Sequence, residues 1–588
     1  EGTQLVWWHV GLLLVVTGAI YHGAPDFGFF PNWDDSRYLL DRVEVRDWFA
    51  ASWSERLLTP EVGYPLPLPT FVYYLLGHLP AEWVVPVVHL VSLAFHALNV
   101  VLVYLLAARW LGKARLGAVA AALWASHPLL VESVAWATNL KTVTFAAFFL
   151  ASLWIFDEHL RRPRKWLAAG AVVLFVLALG CRPEGVIAAP AWLGLSLWRR
   201  PERLREPLVW GAIALGAVLA AIYVPVGVLG HDALMHQDPV QRHLKTGLSG
   251  RLWEVGVALG MQLRHVAWPV DLHPSYGPKH PAASIDFAVG CAAAIVLLSS
   301  LVWSGLRRSN IAVGLGLFWL AYLPASGVTF LPRFTADTYM YVPLAGLSLA
   351  AVATASALGR RIGARLRRYG WLIAALGVIY FSALAYAQTL RWHNELTLWE
   401  PTMEDQPYLA QTYWMVGEAY ASVERWEEAA RVYKQGYPRL VKRQRIPLRM
   451  VDVLRRVDQP NRAARVAATV ATYEGIGRRA AGRELLALLV AEDIDPGADP
   501  VVREALGEIT ARGLDTYDLD VERFGASEAV ELAERAAASN LEAVAAELLR
   551  YGLEIDQQKC AAWKLLGALD AEHRRHATGG RTRPERCR

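Results

Sequence analysis

The sequence has few charged residues for its length and only four cysteines. Charged residues make up 19% of the 588 residues, whereas a soluble protein has about a quarter. Cys181, Cys291, Cys560 and Cys587 show neither metal-ligand nor redox spacing, and the first two lie at or within apolar segments. The shortage of charge excludes a single large soluble enzyme. The cysteine spacing predicts neither a metal centre nor a disulfide framework.

Apolar residues, in contrast, are abundant and occur in long runs. Hydrophobic residues make up 54% of the chain, and runs of about twenty recur, the length that a helix needs to cross a bilayer. The 24 tryptophans fit anchoring at the membrane interface. The pattern predicts an all-α, polytopic membrane helical bundle of about eleven spans. The predicted spans are Leu5–Tyr21, Val84–Arg109, Leu116–Val131, Val143–Phe156, Trp166–Leu179, Gly185–Trp198, Leu208–Leu229, Phe287–Leu306, Ile311–Leu331, Tyr339–Leu358 and Trp371–Leu390.

Basic clusters give the predicted bundle its orientation. They follow the second, fourth, sixth, eighth and tenth spans, so they lie on every second connection, as a cytoplasmic face requires. This alternation holds only if Leu252–Trp268, which charged residues interrupt, lies along the interface. The clusters also account for the net charge of +5, so no nucleic-acid partner is predicted. The excess of Arg over Lys and the abundance of Ala are typical of a high-GC bacterium, and we expect an inner-membrane protein.

The character of the chain changes after residue 390. Residues 1–390 are predicted as the membrane domain, with outward loops 22–83 and 230–286. Charges then rise, and Gly417, Tyr420, Ala429 and Tyr433 match the small and large positions of a tetratricopeptide repeat. We therefore predict a TPR-like α-solenoid at residues 391–577 and a disordered Gly/Arg-rich tail at 578–588. The odd number of spans places this domain outside: periplasmic in a bacterium, luminal in a eukaryote.

The outward connections hold the residues that could carry chemistry. Asp34 and Asp35 are adjacent in FFPNWDDSRY, a few residues beyond the first span. Ionisable groups near membrane depth tend to face a cavity or each other, so their common side predicts one polar cavity at the outer surface. No metal-ligand spacing stands out, although a divalent ion at the acidic pair stays open. The other candidates are His127, Glu132, Lys141, Arg182, Glu184, Arg264, Arg333, Asp337 and Tyr339.

Each of these residues also has a purely structural interpretation. The two aspartates could be solvated loop acids, and His127 with Pro128 could simply end a helix. Arg182 and Glu184 could pair with each other at the interface. Lys141 could extend to the headgroups, and Tyr339 could be an interface anchor. A shared cavity is favoured because all of these residues are predicted on the same side of the membrane.

A series of short motifs resembles a known family. In chain order they are WDD (Trp33–Asp35), ASHPLLVESVAW (Ala125–Trp136), RPEGVIAAP (Arg182–Pro190), WPVDLHPSYG (Trp268–Gly277), LPASG (Leu323–Gly327), ADTYMYVPLAG (Ala336–Gly346) and QTLRWHNELTLW (Gln388–Trp399). Over nearly the whole membrane part and the start of the repeats, the chain resembles the transmembrane and tetratricopeptide-repeat O-mannosyltransferases and their bacterial relatives. These have the C-type glycosyltransferase (GT-C) fold.

The resemblance implies an inverting glycosyltransferase. Its donor would be a sugar on a polyprenyl or dolichyl phosphate, with no other cofactor, and its acceptor a hydroxyl of a protein or of another lipid-linked molecule. Asp34 or Asp35 would deprotonate the acceptor. Arg182 first, then Lys141, Arg264 and Arg333, would bind the donor phosphate. The remaining candidates, namely His127, Glu132, Glu184, Asp337 and Tyr339, would shape the pocket.

Two departures from the family pattern keep a second hypothesis open. Relatives commonly have Asp/Glu-Arg-Tyr where this chain has Asp337-Thr338-Tyr339, and Pro183 interrupts the usual basic–acidic pair. Thr338 removes a fixed cation that could touch phosphate. The alternative is a non-catalytic GT-C-derived scaffold subunit that binds membrane-complex partners through its repeat domain. A transporter is a weaker third hypothesis, because the ionisable residues cluster at one face and not at the midplane.

Overall fold

A computed structural model describes most of the chain, and the regular elements that it describes are all helical. The described residues are 6–33, 35, 65–205, parts of 207–221, 248–328, 331, 333–361, 364–442, 446–472, 477–517, 519, 524–557, 559–569, 571–579 and 581–587. Asp34 and much of the two predicted outward loops lie outside them. The chain forms two compact units, the first reaching Pro407 and the second beginning at Tyr408.

The first unit is a bundle of apolar helices. They are α1 (Trp7–Ile20), α2 (Pro67–Leu76), α3 (Ala81–Leu111), α4 (Ala114–Ala125), α5 (Val131–Ala135), α6 (Leu140–Arg161), α7 (Lys165–Cys181), α8 (Ala188–Arg199), α9 (Leu248–Ala267), α10 (Ala283–Leu306), α11 (Asn310–Tyr322), α12 (Tyr341–Arg361), α13 (Ala364–Arg391) and α14 (Glu395–Asp405). Short 3₁₀ helices at Pro128–Leu130, Ala137–Asn139, Pro183–Ile187 and Asp337–Met340 join several of them.

Five of the described helices are long and apolar enough to cross a membrane. They are Ala81–Leu111, Ala137–Arg161, Ala283–Leu306, Asp337–Arg360 and Tyr369–Arg391. A bent pair, Ala114–Ala125 with Pro128–Ala135, counts as a sixth if it forms one broken span. The bend of 63° falls at His127–Pro128, where His127 is extended because a residue before proline disfavours the helical region. Multiple membrane helices are thus confirmed, while the count of eleven stays a prediction.

Two of the basic connections of the bundle meet at one end. Arg109, near the end of α3, donates from Nη1 to Oδ2 of Asp157 at 3.2 Å, and Arg199 in α8 donates to Oδ1 at 3.3 Å. Asp157 lies in the last turns of α6 and is fully buried. The 22 residues of α6 measure about 33 Å, close to the thickness of a bilayer core. The start of α6, beside the candidate site, therefore lies at the opposite end.

The second unit consists of paired helices around a continuous core. They are α15 (Ala410–Ser422), α16 (Trp426–Lys442), α17 (Arg449–Arg456), α18 (Pro460–Ala471), α19 (Gly477–Ala491), α20 (Pro500–Ala511), α21 (Ala526–Ala538), α22 (Glu542–Ile555), α23 (Cys560–Leu565) and α24 (Ala571–Thr578). In the first pair, Gly417 of α15 packs directly against the ring of Tyr433 in α16. The Tyr433 hydroxyl donates to Glu418 at 2.9 Å. Close approach of the two helices explains the small residue at 417.

The cysteine spacing gave the wrong expectation at the C-terminus. Cys560 and Cys587 form a disulfide, and Cys587 is buried. The signal was weak because two cysteines separated by 27 positions match no recognisable spacing. The bond ties residues 581–587, within the tail that was predicted as disordered, to α23. Cys181 and Cys291 are free.

Gly417 offers a test of the first helix pair. In the variant Gly417→Val, the new side chain meets the Tyr433 ring, so the helices must separate and the buried hydrogen bond to Glu418 is strained. We expect the second unit to lose about 2 kcal/mol of stability. Gly507→Val is the matched control, because a Cβ at Gly507 in α20 meets nothing within 4 Å. Thermal unfolding followed by circular dichroism checks this, and equal melting of the two variants would contradict the packing.

Candidate functional site

The site is built around one buried segment, residues 127–142, which we call the central segment. It holds the break after α4, helix α5, the 3₁₀ turn Ala137–Asn139 and the start of α6, and it is buried throughout. His127 fixes its beginning: Nδ1 accepts from the Leu129 N–H at 3.3 Å, and Nε2 lies 3.1 Å from the carbonyl of Val266. These partners require the neutral ring with its proton on Nε2. His127, predicted as a pocket residue, therefore caps the segment.

Asp35 joins the acidic loop to the central segment. Its Oδ2 accepts from the Phe30 N–H at 2.8 Å, and its Oδ1 accepts from the Thr138 N–H at 3.3 Å. The residue has 0% exposure. Two backbone donors favour the ionised carboxylate, and the bond to Thr138 spans 103 positions of sequence. Asp35 is thus an anchored anion, while Asp34 lies outside the described residues.

Glu132 is the next charged group along the central segment. Its Oε1 lies 2.5 Å from Nη1 of Arg333, and its Oε2 accepts from the Thr338 N–H at 2.9 Å. The guanidinium of Arg333 also lies 5.4 Å from the Trp136 ring and 5.8 Å from the Tyr339 ring. Its side chain keeps 20% exposure. Arg333 is therefore a cation held in one orientation and still accessible.

A chain of hydroxyls continues from Glu132 towards Arg182. Ser133 donates to the Thr338 hydroxyl at 3.0 Å, and that hydroxyl lies 3.2 Å from the Thr142 hydroxyl. Arg182 donates from Nη1 to the Thr142 hydroxyl at 2.6 Å. Thr338, where relatives commonly have Arg, therefore lies one hydroxyl away from the guanidinium of Arg182. A cation is present beside this position, but a different residue supplies it.

Arg182 is also paired with Glu184 across Pro183. Its Nε and Nη2 donate to the two carboxylate oxygens at 3.1 Å and 2.5 Å. Burial acts to raise the pKa of Glu184, but the Arg182 guanidinium outweighs it and holds that pKa below its usual range. Lys141, which is also buried, adds a smaller effect in the same direction. A further anion can reach Arg182 only by sharing it with Glu184 or displacing that carboxylate.

The cationic side of the site opens into a small cavity. Its lining includes Thr142, Arg182, Glu184, Thr338 and Tyr339. The volume of about 30 Å³ is room for one or two water molecules and far less than a ligand pocket. The surrounding side chains must therefore move before a sugar phosphate can enter.

Asp337 is held by the loop that contains the WPVDLHPSYG motif. Tyr276, in the WPVDLHPSYG motif, donates its hydroxyl to Oδ1 of Asp337 at 2.8 Å and accepts from the His273 N–H at 2.8 Å. Burial and then the Asp337 carboxylate raise the pKa of Tyr276 well above its ordinary value. The Pro274 carbonyl of the same loop accepts from Arg333 at 3.0 Å. The loop thus fixes two predicted site residues.

The structure brings most of the predicted residues into one network and leaves Arg264 in a separate pair. Arg264 donates from Nε and Nη2 to the two carboxylate oxygens of Asp286, at 3.0 Å and 3.1 Å. Sequence reasoning missed four of the positions that connect the charges, namely Ser133, Thr138, Thr142 and Tyr276. Ser133 and Tyr276 lie within motifs that the sequence offered as a signal, whereas Thr138 and Thr142 lie in none of them. Among the described residues, no group of three His, Cys, Asp or Glu could hold a metal ion.

Comparison with known families gives a match within the first unit. Residues 68–225, about a quarter of the chain, match the family model described as dolichyl-phosphate-mannose-protein mannosyltransferase. The match contains the central segment and the Arg182–Glu184 pair. No curated protein matches the chain significantly. The match supports a relative of the GT-C-type mannosyltransferases and a membrane glycosyltransferase. Together with the apolar helices, it indicates a multi-pass membrane protein.

Glu132 gives the direct test of the network. In Glu132→Gln the shape is kept, but Arg333 loses its charged partner and the Thr338 N–H faces an amide that can accept at only one atom. We expect a loss of about 3 kcal/mol of stability, the usual cost of removing one member of a buried pair. Thermal unfolding of the detergent-purified full chain measures it.

The control for this substitution is Glu202→Gln. Glu202 makes an exposed contact with Arg200, so its loss should change stability by less than about 0.5 kcal/mol. Equal unfolding temperatures for the two variants would show that Glu132 does not hold the network together.

Proposed function

We propose that this protein transfers a sugar from a polyprenyl-phosphate-linked donor to a hydroxyl of a protein acceptor at the outer face of the membrane. The hydrogen-bonded network from Asp35 to Arg182 is the main support for this function. It joins an acidic loop to guanidinium groups at one end of an apolar bundle. A base for the acceptor and cations for a leaving phosphate are the two groups that such a transfer needs.

The proposed step is a single in-line displacement. The acceptor oxygen attacks the anomeric carbon and passes its proton to the carboxylate of Asp34 or Asp35. The bond from that carbon to the phosphate oxygen breaks, and the polyprenyl phosphate leaves with the electron pair. One displacement inverts the configuration, and no covalent enzyme intermediate is required.

We propose different tasks for the charged residues. Asp35 accepts two backbone N–H groups and is fully buried, so it also holds the loop, and Asp34 is the second candidate for the base. Arg182, Arg333 and Lys141 compensate the charge of the phosphate, after Glu184 has yielded its place on Arg182. Arg264 is a weaker phosphate candidate because Asp286 occupies two of its donors. The reaction needs no cofactor beyond the donor.

The disulfide supports an outer location for the second unit. Disulfides persist in oxidising compartments and are rare in the cytosol, and Cys560–Cys587 lies in this unit. We propose a multi-pass protein of the bacterial inner membrane, with its TPR-like unit in the periplasm (the lumen, if eukaryotic). There the unit can recruit acceptor proteins, since helical repeat stacks present concave binding surfaces.

The alternative function is that of a non-catalytic scaffold subunit, and two features of the site favour it. Arg182, which lines the cavity, and Arg333 are already paired with carboxylates, and the cavity admits only water in this state. A protein that never binds a donor would have the same features. Stable co-purification with other membrane subunits, without donor lipid, would favour this role.

Replacement of the acidic pair tests the catalytic role. With labelled polyprenyl-phosphate mannose and periplasmic proteins as acceptors, removal of the base should lower transfer at least about 100-fold. Asp34→Asn should do this without changing thermal stability, if Asp34 is the base. Asp35→Asn should lower both activity and stability, because an amide cannot accept both backbone N–H groups.

The control is Asp26→Asn, which changes an exposed acid nearby in the same predicted loop and should leave transfer unchanged. Transfer that survives replacement of both Asp34 and Asp35 by Asn would rule out the catalytic assignment.

A further inference from the structure

The chain that follows helix α13 returns to the acidic loop. The Gly28 N–H donates to the carbonyl of His393 at 2.9 Å. A Cβ at Gly28 would lie 3.0 Å from that oxygen, so the two backbones meet where only glycine fits easily. The loop is thus paired with residues 363 positions or more away along the chain.

Glu395 makes the most specific contact of this return segment. Its Oε1 accepts from the backbone N–H of Asn32 at 3.0 Å, and its Oε2 accepts from the Asn32 side-chain amide at 2.7 Å. Glu395 has 9% exposure. Bonds to an ionised acceptor are shorter and stronger than neutral ones. Each carboxylate oxygen has a separate donor, so the contact sets both the position and the orientation of Asn32.

The position of Glu395 is itself fixed. It is the first residue of α14, whose N-cap Asn394 forms a capping box with Thr397. The Asn394 side chain accepts from the Thr397 N–H at 2.9 Å, and the Thr397 hydroxyl accepts from the Asn394 N–H at 3.1 Å. A carboxylate in the first turn is also favoured by the helix dipole. The acidic loop is therefore attached to a rigid helix start.

Tryptophans enclose the same turn. The Trp33 ring stacks on Trp136 with centroids 3.9 Å apart, and it meets Trp399 edge to face at 5.2 Å. Trp136 belongs to the central segment and Trp399 to α14. The contacts of Asn32 and Trp33 thus fix this turn from two sides. The turn directly precedes the aspartate pair.

We propose that Glu395 is a positioning residue that holds the Asn32–Trp33 turn, so that the aspartate pair is fixed for the transfer. The role in transfer rests on the proposed function, whereas the control of the loop does not. Glu395 acts through Asn32. The contact is also well suited to test, because the donor amide and the acceptor carboxylate can exchange places.

The first measurement is hydrogen–deuterium exchange of the full chain, read in the peptide covering residues 28–35. In Glu395→Gln both side chains are neutral amides, which can pair only after an amide flip and without the charge of the carboxylate. We expect the Phe30 N–H, which Asp35 holds, to exchange about tenfold faster, because the contact is no longer charge-assisted. In the double variant Asn32→Asp with Glu395→Gln, carboxylate and amide are exchanged, both hydrogen bonds can form again, and exchange should return to within about threefold of the parent.

Glu404→Gln is the matched control, because it makes the same chemical change at an exposed position of the same helix. Exchange in Glu395→Gln that equals exchange in Glu404→Gln would overturn the proposal. So would a double variant that exchanges as fast as Glu395→Gln, because rescue by the swapped pair is not expected of a residue that only supports the general fold.

Transfer kinetics provide the second measurement. We expect Glu395→Gln to lower kcat about tenfold with KM for the donor unchanged, and the double variant to restore kcat. A change in KM alone would contradict a positioning role. If the parent protein shows no transfer with polyprenyl-phosphate mannose, the proposed function fails, while the exchange measurement still decides whether Glu395 holds the loop.

Discussion

The rest of the site depends on the contacts of the buried Glu132 carboxylate. Near membrane depth, no solvent is available to satisfy a charge, so each ionisable group must be paired. Glu132 meets this requirement with Arg333 and with the Thr338 N–H, which are more than 200 positions away in the sequence. One side chain therefore joins the central segment to the loop and the helix start beyond it, and the hydroxyl chain to Arg182 begins beside it.

The same pairing that stabilises the site also restricts its chemistry. The site has no excess of positive charge, because its cations lie among carboxylates. The cations are Lys141, Arg182 and Arg333, and the carboxylates are those of Asp35, Glu132, Glu184 and Asp337. A phosphodiester brings one further negative charge, and the cavity is close to the volume of a water molecule. Binding of a lipid-linked donor would therefore have to rearrange the Arg182–Glu184 pair, which lines the cavity. The transferase and the scaffold differ in whether this rearrangement takes place.

The sequence could predict the parts of the site that carry charge, but not the parts that connect them. Hydropathy and the alternation of basic clusters predicted a multi-span helical bundle. The prediction that several charged residues lie on the same side of the membrane placed them in one cavity, namely Asp35, Glu132, Arg182 and Arg333. The sequence did not single out Ser133, Thr142 or Tyr276, even where they lie within family motifs, because a hydroxyl acquires its role from a partner distant along the chain. Arg264 shows the converse: its charge was visible in the sequence, but its partner Asp286 was not. The Cys560–Cys587 disulfide also depends on contacts that no spacing rule encodes.

The proposed function requires that the network from Asp35 to Arg182 binds a lipid-linked sugar. The most direct measurement is a cryo-electron microscopy map of the full chain in lipid nanodiscs with polyprenyl-phosphate mannose. We expect density for the phosphate between Arg182 and Arg333, with the Arg182–Glu184 pair opened and the sugar facing the acidic loop. A map at the same resolution in which that pair stays closed and the cavity holds only water, at saturating donor, would contradict it.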